Sequence, residues 1–186
     1  MSLETPQRIK LNNVRLSYPS LFRKTVHPKA GPNAKPKYEA TFILDKVEHA
    51  KEIELIKSHI NSLAAAKQIS SNKLSKVCFK DGDELDREEY KNKYTLISRS
   101  ENKFPIVGKD GKTPVGEDDN LFYGGCYVSC YVSLYLWDNA STGISSNLLA
   151  IQFKKDGTPF GASPFNIEGA FEPVDSDDSD DSNNLF

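Results

Sequence analysis

The stretch Cys126–Trp137, CYVSCYVSLYLW, divides cleanly into two faces. Successive side chains of a strand point to opposite sides of the sheet. Cys126, Val128, Cys130, Val132, Leu134 and Leu136 therefore form one continuous apolar row, suited to the interior of a closed sheet. Tyr127, Ser129, Tyr131, Ser133, Tyr135 and Trp137 form the other row, with four aromatic rings along one surface and small serines between them. Alternate residues of a strand lie about 6.6 Å apart, near the spacing of an extended polynucleotide. Aromatic rings accept the face of any base, so such a row suits stacking without sequence recognition, with the serines leaving room for bases between the rings. Tyrosine is also amphipathic and favours strands, so the same row serves equally well as a sheet face packed under a helix or an N-terminal arm.

Strand-like alternation continues on both sides. Upstream, Ile9 and Leu11, then Val14, Leu16 and Tyr18, alternate with a slip at Asn12-Asn13 that predicts a β-bulge. Phe22–Lys37 carries three prolines, a glycine and several lysines, and reads as an exposed basic loop. Lys37–Leu44 (KYEATFIL) and Tyr94–Arg99 (YTLISR) are further strands, and Phe104–Val107 continues or pairs with the latter. Asp138–Asn147 reads as a turn leading into the strand Leu148–Lys154. Val47–Lys67 is the one convincing helix. Ile53, Ile56, Ile60, Leu63 and Ala64 recur at helical spacing, and Asp45 and Glu48 resemble a capping box. The expected architecture is mainly β: an OB-like barrel of five to six strands with one prominent α-helix and long loops.

The formal charge of −2 conceals an asymmetry. Residues 168–186 hold seven acids and no base, which leaves residues 1–167 with 24 bases against 19 acids. The first 44 residues alone carry eight bases and two acids. Arg8, Lys10 and Arg15 alternate along the first strand, Lys35 and Lys37 enter the second, and Arg99 and Lys103 leave the third. These are the candidate phosphate contacts, since phosphates dominate affinity for nucleic acid. Tyr127, Tyr131, Tyr135 and Trp137 are the candidate stacking residues, joined by Tyr18, Phe22 and Tyr94. Residues 1–171 are expected to form one domain and 172–186 a disordered acidic tail. The tail pairs a flexible polyanion (Asp177, Asp178, Asp180, Asp181) with an apolar end at Leu185-Phe186. The polyanion could occupy the basic surface in competition with a nucleic acid, while the apolar tip and terminal carboxylate suit a partner's pocket.

Several stretches together resemble a phage single-stranded DNA-binding family once carried as a domain of unknown function: LSYPSLF (16–22), KYEATFIL (37–44), DGDELDREEYKNKY (81–94), LFYGGCYVSCYVSLYLWDN (121–139) and LLAIQFKKDGTPFG (148–161). The resemblance implies an OB-fold protein that coats and protects DNA during phage replication or recombination in the cytoplasm of the infected host. It implies single-stranded DNA as ligand, with duplex DNA or RNA as weaker ones. The tail resembles in kind those that recruit a polymerase, helicase or other replication proteins, and a homodimer is compatible with all of this. The helix departs from the usual OB plan, falling between the second and third strands rather than the third and fourth. A protein-interaction or virion protein is the alternative reading.

Catalytic and metal readings find little support. His49 and His59 lie ten residues apart on the helix, and Cys126 and Cys130 are about 13 Å apart along a strand, too far for one zinc ion or a disulfide. Glu89-Tyr90-Lys91 matches a nuclease-like E-x-K string that is common by chance. Asp81, Asp83, Glu84 and Asp86 lack the glycine and closing glutamate of a calcium loop. No cofactor or metal is implied, and no catalytic residue is assigned. Met1–Lys10 has no apolar leader core, and no run approaches the roughly 20 apolar residues of a membrane span.

Overall fold

A computed structural model describes residues 6–161 and 168–173. Five strands close a barrel: β1 (Arg8–Thr25), β2 (Lys37–Asp45), β5 (Lys93–Ser100), β7 (Tyr127–Asp138) and β8 (Thr142–Lys155). Around the barrel the order is β1-β2-β5-β8-β7, with β7 returning to β1. Among these five strands every pairing is antiparallel except β5–β8, which is parallel. That order, with one parallel seam between the third and fifth barrel strands, is the OB arrangement.

Closure needs strong local bending, and β1 supplies it. Its 18 residues pair first with β7 and then with β2, and the register slips between Leu11 and Val14. There Asn13 takes a φ of 53°, a left-handed conformation that asparagine tolerates better than most residues. The bulge expected at Asn12-Asn13 is therefore present, and it coils the strand. The strand also runs on to Thr25, so the basic loop spans only residues 26–36.

The interior is the apolar row of β7 together with its counterparts. Val128 and Val132 are fully buried and Cys130 and Leu134 nearly so, packed with Ile9, Leu11, Val14 and Leu16 of β1 and with Phe42, Leu96, Leu148 and Phe153. Burying each such side chain is worth about 1.5–3 kcal/mol. Helix α1 (Ala50–Ala66) buries Ile53, Ile56, Ile60 and Ala64 in this core against β7 and β1. Its entry differs from a capping box. The Asp45 carboxylate accepts from the backbone N–H groups of Val47 and Glu48, but the return bond runs from the Asp45 N–H to His49 Nδ1 at 2.9 Å. His49 Nε2 then faces the carbonyls of Asn12 and Asn13 at 3.1 and 3.2 Å. With Nδ1 accepting and Nε2 facing two carbonyls, one imidazole ties the helix start to the bulge.

Three short strands repair the places where β8 outruns its neighbours. β3 (Lys76–Val77) pairs β8, and β4 (Phe79–Asp81) pairs β5. Cys78 between them donates to Ile144 and accepts from Ile97, filling the splay between β8 and β5. At the other end β6 (Ile106–Val107) pairs β8, not β5 as expected from continuity, because the chain leaving β5 crosses to Ile151. The turn after β7 is also shorter than expected. Asp138 pairs Thr142 directly, and β8 begins at Thr142 rather than Leu148.

Candidate nucleic-acid interface

Pairing register sets which outward side chains share a level. Arg8 lies opposite Ser133, Ser133 opposite Asn147, Asn147 opposite Arg99, and Arg99 opposite Glu39. With neighbouring strands about 4.8 Å apart, Arg8 and Arg99 stand about 14 Å apart along the curved surface. Above and below this girdle, Lys10 lies opposite Tyr131, and Tyr135 opposite Ser145. Tyr131 and Tyr135 are 42% and 39% exposed, so both rings stand between two basic flanks. The Lys10 ammonium lies 5.8 Å from the centre of the Tyr131 ring.

The serines between them do not leave gaps. Ser129 and Ser133 are buried, and the Ser129 hydroxyl donates to Asn12 Oδ1 at 3.0 Å while accepting from the Asn13 N–H at 3.2 Å. The bulge of β1 folds over the strand here, so the rings rise from a packed floor. Trp137 is partly covered. Its Nε1 donates to Ser145 Oγ at 3.0 Å, and its ring lies over Gly143, where any Cβ would collide with it and with the Lys76 carbonyl.

Beside Tyr135 the surface falls into a cleft of about 420 Å³. Its lining includes Lys37, Arg99, Lys103, Glu101, Tyr135 and Asn147. The β5–β8 seam forms its floor, where only Ser98–Ser146 and Arg99–Asn147 are in register and the two buried serine hydroxyls bond each other at 2.7 Å. Two carboxylates hold the cations: Glu39 accepts from Arg99, and Glu101 lies 3.1 Å from Lys37 Nζ. The Lys37 ammonium, aided by the nearby charges of Lys35 and Lys24, lowers the Glu101 pKa below the ordinary glutamate value. The structure thus gathers Arg8, Lys10, Lys35, Lys37, Arg99, Lys103, Tyr131 and Tyr135 along one side of the barrel.

The remaining candidates lie elsewhere or are engaged. Arg15 donates through Nε to the Gly125 carbonyl at 3.2 Å and through a second nitrogen to Thr158, with its guanidinium 4.2 Å from the Phe160 ring centre and 5.5 Å from that of Tyr127. Lys155 covers Tyr127 at 4.6 Å. Tyr94 stacks on Phe79 at 4.8 Å beneath Lys46 and Lys57. Phe22 packs edge-on against Phe122, and Tyr18 lies under Arg87, to which its hydroxyl also bonds. Asp177, Asp178, Asp180, Asp181, Leu185 and Phe186 lie outside the described residues.

The sequence reading missed Lys24, Phe104 and Asn147. Lys24 was already visible in the basic excess of the first 44 residues. Nothing local marks Asn147, which reaches the cleft only through strand register.

The motif-like clusters serve the fold. Asp81 and Asp83 both grip Lys46 Nζ, at 2.8 and 2.6 Å, and their hydrogen bonds raise its pKa. Glu89 pairs with Arg87 and Lys91 with Glu88, while Tyr90 is buried and bonds Ser17 at 3.0 Å. Burial pushes the thiol of Cys78 up to about 12 and raises those of Cys126 and Cys130. Among the described residues no group of three or more His, Cys, Asp or Glu could hold a metal ion, and no helix is long and apolar enough to cross a membrane.

The family profile described as the ssDNA-binding protein of Enterobacter phage Enc34 matches residues 7–183. Protein p50 of Acyrthosiphon pisum secondary endosymbiont phage 1 is 32% identical over 163 residues, covering 82% of this chain and 86% of that protein. The single-stranded DNA-binding protein from bacteriophage Enc34, in complex with ssDNA, is similar with a TM-score of 0.70 at 25% identity, over 83% of this chain and 89% of that one. The bacteriophage T7 single-stranded DNA-binding protein gp2.5 shares the fold, with a TM-score of 0.56 at 15% identity over 90% and 96% of the two chains.

Proposed function

The chain belongs to the family of the Enterobacter phage Enc34 ssDNA-binding protein, and from that premise we propose that it binds single-stranded DNA without sequence preference and without catalysis. The observation that carries the reading is the placement of Tyr131 and Tyr135, each about two-fifths exposed, between Arg8 and Lys10 on one flank and the Lys37–Arg99–Lys103 cleft on the other. Phosphates track the two flanks while bases stack on the rings between them. This divides the work between a salt-dependent and a salt-independent contribution. The solved complex of the Enc34 protein with ssDNA supports the ligand class.

The finer role we propose is coating and protecting ssDNA in phage DNA replication or recombination, in the cytoplasm of the infected host. The acidic tail competes with casual ligands for the basic flanks. Once DNA displaces it, the tail presents Leu185 and Phe186 to a polymerase, a helicase or another replication protein. The test is fluorescence anisotropy with labelled oligo-dT and a matched duplex, using the full chain and a version ending at Phe171. The expected result is tighter binding of oligo-dT than of duplex, strengthened by truncation and weakened by salt. Failure of both versions to bind at low salt refutes the proposal and favours a protein-binding role in the virion.

A further inference from the structure

The cleft beside Tyr135 holds its cations in a paired state. Lys37 is engaged by Glu101 and Arg99 by Glu39, both across the strand ends that frame the seam. Lys24, Lys35 and Lys103 stand around them, so five bases face two acids. Structural need does not explain Glu101. Its side chain is 63% exposed, and the turn it occupies is held instead by Ser100, whose hydroxyl donates to the Asn102 carbonyl and accepts from the Asn102 N–H. A carboxylate that the fold does not require, set against a lysine among five bases, stands where a phosphate oxygen would bind.

We infer that Glu101, with Glu39 as its counterpart on Arg99, is a built-in phosphate surrogate that entering DNA must displace; this rests on the proposed ssDNA-binding function. The exchange has a thermodynamic signature. A phosphate arriving at a free lysine releases its condensed counterion, which is what the salt slope counts. A phosphate arriving at Lys37 also frees Glu101, which takes up a cation from solution and offsets that release. The wild-type slope therefore undercounts the phosphates bound, and affinity is held below what the cations alone would give.

The experiment measures oligo-dT binding across a salt series for the full chain, Glu101→Gln, Glu39→Gln and Glu54→Gln. Glu54 serves as the control. It accompanies Lys57 beside Tyr94, which lies about 23 Å along β5 from Glu101 and beyond the screening length in ordinary buffer. Glu101→Gln should tighten binding about two- to fivefold at low salt and steepen the slope by at most about 0.7. Glu39→Gln should act in the same direction, and Glu54→Gln should change affinity less than about twofold. In a Lys37→Gln background the effect of Glu101→Gln should shrink, because its bonded partner is gone while Lys24 and Lys35 remain nearby. Unchanged or weaker binding by Glu101→Gln overturns the inference while leaving the ssDNA reading intact, and weaker binding makes Glu101 a positioning residue for Lys37. Equal tightening by Glu54→Gln overturns it in favour of net charge. Absence of binding by the wild-type chain removes both the inference and the reading beneath it.

Discussion

Replacing Tyr131 and Tyr135 together by alanine tests the stacking half of the interface. A base stacked on an aromatic side chain contributes about 1–3 kcal/mol. Each ring is only about two-fifths exposed, and the Lys10 ammonium already shares that of Tyr131, so the lower part of the range applies, about 1–1.5 kcal/mol each. The two residues are four apart on one strand, about 13 Å, far enough for their effects to add. The double variant should therefore lose about 2–3 kcal/mol, roughly 30- to 150-fold in affinity. Anisotropy with labelled oligo-dT, repeated at several salt concentrations, reads both quantities needed. The loss should be the same at every salt, since neither tyrosine contributes a cation and the slope counts only phosphates neutralised. Each tyrosine-to-alanine change on the strand costs about 1 kcal/mol of stability, about 2 for the pair, and a thermal melt of the double variant checks that it is folded at assay temperature. Affinity within about twofold of wild type would refute the stacking role, and so would a loss confined to low salt.

Four further outcomes follow from individual contacts. Arg15→Gln should cost about 1–3 kcal/mol of stability by freeing two backbone carbonyls and the Phe160 ring, visible in thermal melts, and should leave the salt slope alone; Lys103→Gln should do the reverse, lowering the slope by about 0.7 at unchanged Tm. Gly143→Ala should unseat Trp137, the chain's one tryptophan, and shift its emission to the red. A hydrogen bond from Lys93, aided by the N–H groups of Val47 and Glu48, lowers the Asp45 carboxyl from 3.8 to about 2. A depressed carboxyl stabilises the fold above its unfolded value, and that contribution is lost as pH falls from about 3.8 towards about 2. Asp45→Asn should therefore remove on the order of 1 kcal/mol at neutral pH and flatten the acid limb of a Tm-against-pH curve.

Periodicity carried most of the fold into view, and failed where the third dimension intervenes. Cys126–Trp137 shows its inner face in sequence because a strand with one buried side must alternate. The bulge at Asn12-Asn13 shows because a slipped phase has few other causes. The start of β8 does not show. Thr142–Asn147 carries serines and a glycine that resemble a loop, yet Ser146 faces inward to meet Ser98 and Gly143 gives way to Trp137. Both choices answer a neighbour from another strand. The same holds for Arg15 and Lys10, which are equivalent as letters on one strand. Arg15 happens to reach the Gly125 and Thr158 carbonyls, and Lys10 lies beside an exposed ring. Sequence gives the sign of a charge but not whether its hydrogen bonds are already spent. Ser129 and Ser133 illustrate the converse: small residues looked like space and proved to be covered floor.

The displaced helix and the cleft belong to two connections of one barrel. An OB barrel has an end to fill and five strands to join. Here the β2-to-β5 connection fills the end, because α1 lies within it and His49 pins the helix start to the β1 bulge. The same connection carries β3 and β4, which repair the β5–β8 splay on one side of the seam. The connection from β5 to β7 is then free of any α-helix. It crosses instead to β8 through Pro105 and β6, leaving Glu101, Lys103 and Phe104 overhanging the seam opposite Asn147 and Tyr135. That later connection, with no α-helix in it, lines the basic cleft beside Tyr135, so the helix and the candidate site are built from different connections of one barrel.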